Sequence, residues 1–388
     1  MRDQPLPGRD LLFRPFTVRS LTVPNRIVMS PMTRGFSPDG VMGEDVAGYY
    51  RRRAEGECGL IITEAVGVDH PVSTGDAGLD ESDVPFLVGD KVLDGWRNVV
   101  AQVHGAGARI IPQLWHQGAM RRPGTGPSPE LPSVSPSGLW GPAGRMTSIM
   151  ERAIPADVRI GEPLSESEIE AIIDAFVRCA KNAIAVGCDG IALHGGHGYL
   201  IDQFLWAETN QRTDQWGGSP VRRTRFATEI VRRIRAVIGE AYPIFFRFSQ
   251  WKLQDFKGRL ADTPDELAEV LGPLADAGVD VFDASIRYFD SPAFEGSNLN
   301  LAGWAKKLTC KASMTVGGVG INRGKYDTKA ISDVSDNVDL LLPRLGSDEF
   351  DLVAVGRALM GDPQWAAKVR RREAFRAYDS ATDDQVLT

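Results

Sequence analysis

One junction recurs four times along this chain and leaves it few architectures. A helical stretch ends, one or two glycines follow, and a short apolar run begins. Gly56-Glu57-Cys58-Gly59 leads into Leu60-Ile61-Ile62-Thr63, and Gly105-Ala106-Gly107 leads into Ile110-Ile111-Pro112-Gln113. Gly187-Cys188-Asp189-Gly190 precedes Ile191-Ala192-Leu193-His194, and Ala277-Gly278-Val279-Asp280 precedes Val281-Phe282-Asp283. A glycine just past a helix supplies the left-handed residue that stops it. The apolar run behind it has the composition of a strand buried on both faces, which a parallel sheet requires. Repetition of the unit therefore predicts alternating strands and helices around a parallel sheet.

The intervening segments carry helix signals. Ser165 with Glu168 forms a capping box ahead of Ile169, Ile172, Ile173, Phe176, Val177 and Ala180 at helical spacing. Phe226, Ile230, Ile234 and Ile238 recur every fourth position, and Thr263-Pro264 with Glu266 opens another helix, which Pro273 is expected to kink or end early. Strands centre near Ile27, Ile61, Ile111, Ala192, Phe245, Phe282, Thr315 and Val353. Eight such units predict an α/β fold, a single-domain (β/α)8 TIM barrel over 13–377, with a large open sheet as the alternative. Arg14 to Val23 is expected to form a hairpin closing the bottom of the barrel. A polar segment, 1–12, precedes the barrel, and a frayed, flexible tail is expected over 378–388. Long insertions at 117–162, 285–304 and 320–348 interrupt the pattern. The first two follow strands three and six and so extend over the C-terminal face, where barrels place their chemistry.

Composition narrows the function. The chain of 388 residues has a net charge of -7 with its Lys and Arg dispersed, so nothing favours a nucleic-acid partner. No apolar run approaches the ~20 residues that span a bilayer, and no signal peptide is expected. Cys58, Cys179, Cys188 and Cys310 are scattered, without the spacing of a disulfide framework or a cysteine-bound metal, and a cytoplasmic location is the default expectation.

The ends of the expected strands hold the candidate residues. Gly317-Gly318 and Gly356-Arg357 follow strands seven and eight, where barrels often bind phosphate through backbone N–H groups and an arginine fork. Arg247 lies inside Ile244-Phe245-Phe246-Arg247-Phe248 and must find an anion or several acceptors, either in an ion pair within the protein or on a ligand. His194 and His197, two of the five histidines, are separated by glycines that would leave a site open. A zinc site is the rival reading of that pair, but no Asp, Glu or Cys shows the accompanying ligand spacing, so no metal is expected. Tyr199 could supply a phenolic proton. Trp115, Trp251, Tyr288 and Phe289 could line a pocket or pack the rim.

Several of these motifs together resemble one family. The run HGGHGYLIDQFL from His194 to Leu205, continuing into NQRTDQWGG from Asn210 to Gly218, is similar to the signature of the Old Yellow Enzyme family of FMN-dependent ene-reductases. Asn25 to Thr33, Gln113-Leu-Trp115-His116 and Ala354-Val-Gly-Arg357 resemble it too, so that the likeness runs from about Phe13 to Asp362. It implies a barrel holding FMN without a covalent link, with NADPH or NADH as hydride donor. By the same resemblance Pro31, Met32 and Thr33 touch the flavin ring, and Ala65 and Gln113 flank its pyrimidine side. Arg247 faces N1, while Gly317, Gly318, Gly356 and Arg357 bind the phosphate. His194 and His197 hold an electron-withdrawing oxygen of the substrate, with Trp115 and Tyr288 beside it. Hydride then passes from N5 to the β-carbon of an activated alkene (an α,β-unsaturated carbonyl or nitro compound), and Tyr199 protonates the α-carbon. Alternatives are another flavin-dependent NAD(P)H oxidoreductase with a non-alkene substrate, a flavin-binding module without catalysis and a metal-dependent hydrolase. Many family members pair His with Asn where this chain has two histidines. The segment from Trp251 to Trp304 and the insertion after Gly320 depart from common family patterns. The physiological alkene and the choice of coenzyme are not legible, and the oligomeric state is open, a homo-oligomer included.

Overall fold

A computed structural model describes residues 8–76, 83–142, 159–322 and 335–388. Two short strands, β1 (Phe16–Val18) and β2 (Leu21–Val23), pair antiparallel as a hairpin. Eight parallel strands follow: β3 (Ile27–Met29), β4 (Leu60–Gly67), β5 (Arg109–Trp115), β6 (Ile191–His194), β7 (Ile244–Ser249), β8 (Val281–Ser285), β9 (Ala312–Val316) and β10 (Leu352–Val355). β10 pairs with both β9 and β3, so the sheet closes on itself and the open-sheet alternative falls away. All eight expected strand centres lie in these strands. No helix among the described residues is long and apolar enough to cross a membrane.

The helices pack outside. Ser165 caps Glu166–Ala185 with both bonds of the capping box, and Ile169, Ile172, Ile173 and Phe176 are buried against the barrel. Thr263 caps Pro264–Ala277 through the Glu266 N–H. Of the two outcomes expected of Pro273, an early end does not occur: it lies inside the helix, which stops at Gly278 in the left-handed conformation. Leu274, Ala275 and Ala277 are buried beyond the proline, so packing of the last turn outweighs the hydrogen bond that Pro273 cannot make.

Two apolar layers result, one between helices and strands and one inside the barrel. The inner layer contains Val28, Leu60, Ile62, Ile111, Ala192, Phe245, Val281, Met314, Leu352 and Ala354. Leu21 and Val23 of the hairpin join this layer, and the Ser20 N–H bonds the Ala241 carbonyl just ahead of β7, so the hairpin plugs the N-terminal end. Apolar contents and a plugged base leave the C-terminal mouth as the place for polar groups.

The last residues make specific contacts with the rest of the chain. Ser380–Asp383 is a helical turn, and Asp383 and Tyr378 are buried. The buried Arg34 donates to the carbonyls of Asp383 at 2.6 Å and Val386 at 2.9 Å. Desolvated guanidinium groups need acceptors, and this segment supplies them.

Candidate active site at the barrel mouth

Side chains alternate along a strand, so residues two beyond the apolar inner layer also point inward. That rule lifts Ser30 from Val28, Gln113 from Ile111, His194 from Ala192, Arg247 from Phe245 and Asp283 from Val281. β4 breaks the rule usefully. Ile62 pairs with Ile111, but Ala65 rather than Glu64 pairs with Gln113, because the register shifts between them. This irregularity of one residue puts the small Ala65 into the polar ring and turns Glu64 to accept from the backbone N–H groups of Arg34 and Gly35.

A cavity of about 130 Å³ opens on this ring, lined by Pro31, Thr33, Ala65, Gln113, Trp115, His194, His197, Tyr199 and Arg247. Nine of the residues singled out from sequence thus meet in one place. Tyr288 does not join them. It lines a second hollow of about 160 Å³ with Phe289, Gly317, Gly318 and Asn337, where β9 ends. Gly317 has φ +140°, and a Cβ there would lie 2.0 Å from the Ile286 carbonyl oxygen, which only glycine avoids. Met32 packs outside the first cavity, with its Sδ 3.4 Å from the Cβ position of Gly356. Gly356 and Arg357 open the short helix Arg357–Gly361 directly after β10.

Arg247 shows where sequence reading stopped short. The register sets it opposite Asp283, and its Nε donates to Asp283 Oδ2 at 2.5 Å while Nη2 donates to Ser30 Oγ at 3.1 Å. The anion it requires is therefore a carboxylate of this chain, although Arg247 still lines the cavity. Neither Asp283 nor Ser30 was foreseen. The usable signal was the shared offset, since Asp283 stands two residues after Val281 as Arg247 does after Phe245.

The histidines are tightly placed. The His194 ring lies 4.9 Å from those of both His197 and Tyr199, and Tyr199 lies 5.0 Å from Trp115. His194 Nδ1 accepts from the Gly196 N–H at 3.4 Å, leaving Nε2 to carry the proton. His197 has φ +63°, stacks on Trp251 at 4.3 Å, and has its Nε2 2.7 Å from Ser285 Oγ. Burial first, then the Arg247 charge, hold the His194 imidazole well below its ordinary range. His197 is lowered likewise by burial, then by His194, Arg247 and Lys252. Both rings are neutral near pH 7, able to donate a hydrogen bond without giving up a proton.

Residues 11–374 match the profile of the NADH:flavin oxidoreductase / NADH oxidase family. The chain belongs to that family. An NADPH dehydrogenase of Clostridium acetobutylicum is 31% identical over 93% of this chain and 94% of its own length. An NADH oxidase of Thermoanaerobacter brockii is 35% identical over 92% of this chain, which spans only 50% of that longer protein. Among solved structures, morphinone reductase in complex with tetrahydroNAD superposes with a TM-score of 0.74 at 28% identity, covering 94% of this chain and 92% of that one. Old Yellow Enzyme from a Pichia species does so with 0.77 at 25% identity, covering 97% and 91%. Within this family FMN is the cofactor and NADH or NADPH the electron donor. The site fits such a group. The buried Gln113 Nε2 and Trp115 Nε1 have no hydrogen-bond partner among the described residues, and an edge of ring nitrogens and carbonyls would satisfy the amide.

Proposed function

We propose that this family member is an ene-reductase, reducing the C=C bond of α,β-unsaturated carbonyl or nitro compounds. The convergence of two neutral histidines and Tyr199 on one cavity beside Thr33, Gln113 and Arg247 carries this reading. Thr33, Ala65, Gln113 and Arg247 would hold the FMN ring, and Gly317, Gly318, Gly356 and Arg357 its phosphate. The chemistry that bound FMN supplies is hydride carriage from NADH or NADPH to the β-carbon of the alkene.

This chain's residues do the rest. His194 and His197 donate hydrogen bonds to the oxygen of the carbonyl or nitro group. Negative charge grows there as the double bond is consumed, so the bonds strengthen in the transition state and accelerate the step. Donors that stayed charged would instead bind any resting anion in the cavity. Tyr199 holds its proton at Oη for the α-carbon, and Trp115 closes the other side of the phenol ring.

Tyr199→Phe tests the assignment. Alkene reduction should slow by about 10²-fold or more, the usual weight of a general acid, while reduction of the bound flavin by NADPH stays nearly unchanged. Equal losses in both halves would remove Tyr199 from the proton-donor role.

A further inference from the structure

Behind the candidate site lies a charge pair that the chemistry above does not use. Lys252 and Asp202 are both fully buried, with Nζ 2.6 Å from Oδ1. Burying such a pair is weak evidence for stability, because desolvation offsets most of the attraction. Its connections point elsewhere. The second oxygen, Asp202 Oδ2, accepts from the Gly198 N–H at 2.7 Å. Gly198 is the residue between His197 and Tyr199. Lys252 Nζ also donates to the Ser249 carbonyl at 3.1 Å, and Ser249 Oγ accepts from the His197 N–H at 2.8 Å. The Leu253 N–H in turn donates to the His197 carbonyl at 3.1 Å.

The same turn is held from its other side. The Gly198 carbonyl accepts from Gln203 Nε2 at 2.7 Å and Gln254 Nε2 at 2.9 Å. Gly198 itself has φ +84°, and a Cβ there would fall 1.7 Å from Gln254 Oε1. Two consecutive residues, His197 and Gly198, thus sit in the left-handed region, which is unfavourable for a non-glycine residue. Such a turn persists only if its surroundings over-determine it, and its position sets the direction of both the imidazole before it and the phenol after it.

We infer that Lys252 and Asp202 are positioning residues of this site, fixing the His197–Tyr199 turn so that clamp and proton donor share one target. This inference rests on the ene-reductase reading above. It also explains why a charge pair stands where apolar side chains would pack: the carboxylate held by Lys252 offers the Gly198 N–H a fixed acceptor, which an apolar side chain would not.

The test uses the FMN-loaded enzyme, cyclohexenone as the alkene, and three chains: wild type, Lys252→Met, and the double variant Lys252→Met with Asp202→Asn. Displacement of about 1 Å can cost roughly 10²-fold in rate. Lys252→Met should therefore lower kcat for cyclohexenone by about that factor with KM little changed, leave flavin reduction by NADPH within about threefold, and enlarge the D2O effect on alkene turnover as protonation becomes limiting. The double variant keeps an amide oxygen for the Gly198 N–H without a stranded charge, and should recover a large part of kcat. Parallel loss in both half-reactions, or unchanged kcat in a variant that is merely less heat-stable, would overturn the inference. Failure of the wild type to reduce cyclohexenone or any other activated alkene would sink the underlying reading instead, so the two failures are distinct.

Discussion

Arg247 and Asp283 illustrate how a buried charge pair serves two ends. The carboxyl of Asp283 is raised by burial, against which Arg247 pulls it down, and its Oδ1 has no hydrogen-bond partner among the described residues. Removing Arg247 alone should hurt twice: a stranded buried carboxylate costs about 3–5 kcal/mol, and the cavity loses its cation. Arg247→Met should therefore melt well below wild type and purify with little flavin. Adding Asp283→Asn should restore most of the melting temperature without restoring the flavin, read by thermal unfolding and by absorbance of the purified protein. Recovery of flavin in that double variant would show that Arg247 acts only through the fold. At this scale the sequence showed a cation needing an anion, but not which anion. The partner is 36 residues away in the chain, and only strand register brings it opposite.

Elements decide what the strand ends can hold. The turn after β9 approaches the Ile286 backbone so closely that Gly317 has no room for a side chain. Gly317→Ala should accordingly push the two backbones apart and deform the hollow shared by Gly318 and Asn337. The expected result is a weaker FMN complex, by tenfold or more in titrations of the apoprotein, since each 1.4 kcal/mol of lost binding is a factor of ten. Unchanged affinity would place the phosphate elsewhere. Three of the four glycine junctions do carry a left-handed glycine, at Gly107, Gly187 and Gly278, and so mark themselves in residue type, whereas at the first junction Glu57 takes that conformation. The irregularity in β4 carries no such mark. It inserts a residue without an anomalous sequence, and it alone exchanges Glu64 for Ala65 in the polar ring.

On the scale of the whole molecule, burial of titratable groups sets opposed pH limits. The Glu64 carboxyl is pushed up to about 7, chiefly by burial, outweighing the N–H bonds from Gly35 and Arg34. The folded protein holds that proton more tightly than the unfolded chain, so Glu64 stabilises less as pH rises from its ordinary 4.5 toward 7. His194, His197 and His116 act in the other direction. Burial lowers each of them well below the ordinary 6.5, so the unfolded chain takes up protons that the fold refuses, and stability falls as pH drops below that value. Glu64→Gln should remove the first trend alone. Relative to wild type the variant should gain stability progressively between about pH 5 and 7 and hold a constant lead above that, followed by urea unfolding. Parallel curves across that range would mean that the Glu64 proton is not linked to folding. The same molecule-wide packing explains the C-terminal segment, whose polar residues gave no sign that Arg34 would claim the carbonyls of Asp383 and Val386.

Local chemistry lets a chain declare its repeats, its strand centres and the residue types gathered at strand ends. Glycine stops, capping boxes and apolar runs act over a few positions; the four junctions predicted a parallel sheet, and the count of eight strands favoured a barrel over an open sheet. Closure of that barrel belonged to tertiary structure, as did the pairing of Arg247 with Asp283, the placing of Tyr288 at the second hollow and the Lys252–Asp202 brace behind His197. Each depends on register or contact between segments far apart in the chain, and a residue carries no local mark of the neighbour it will meet.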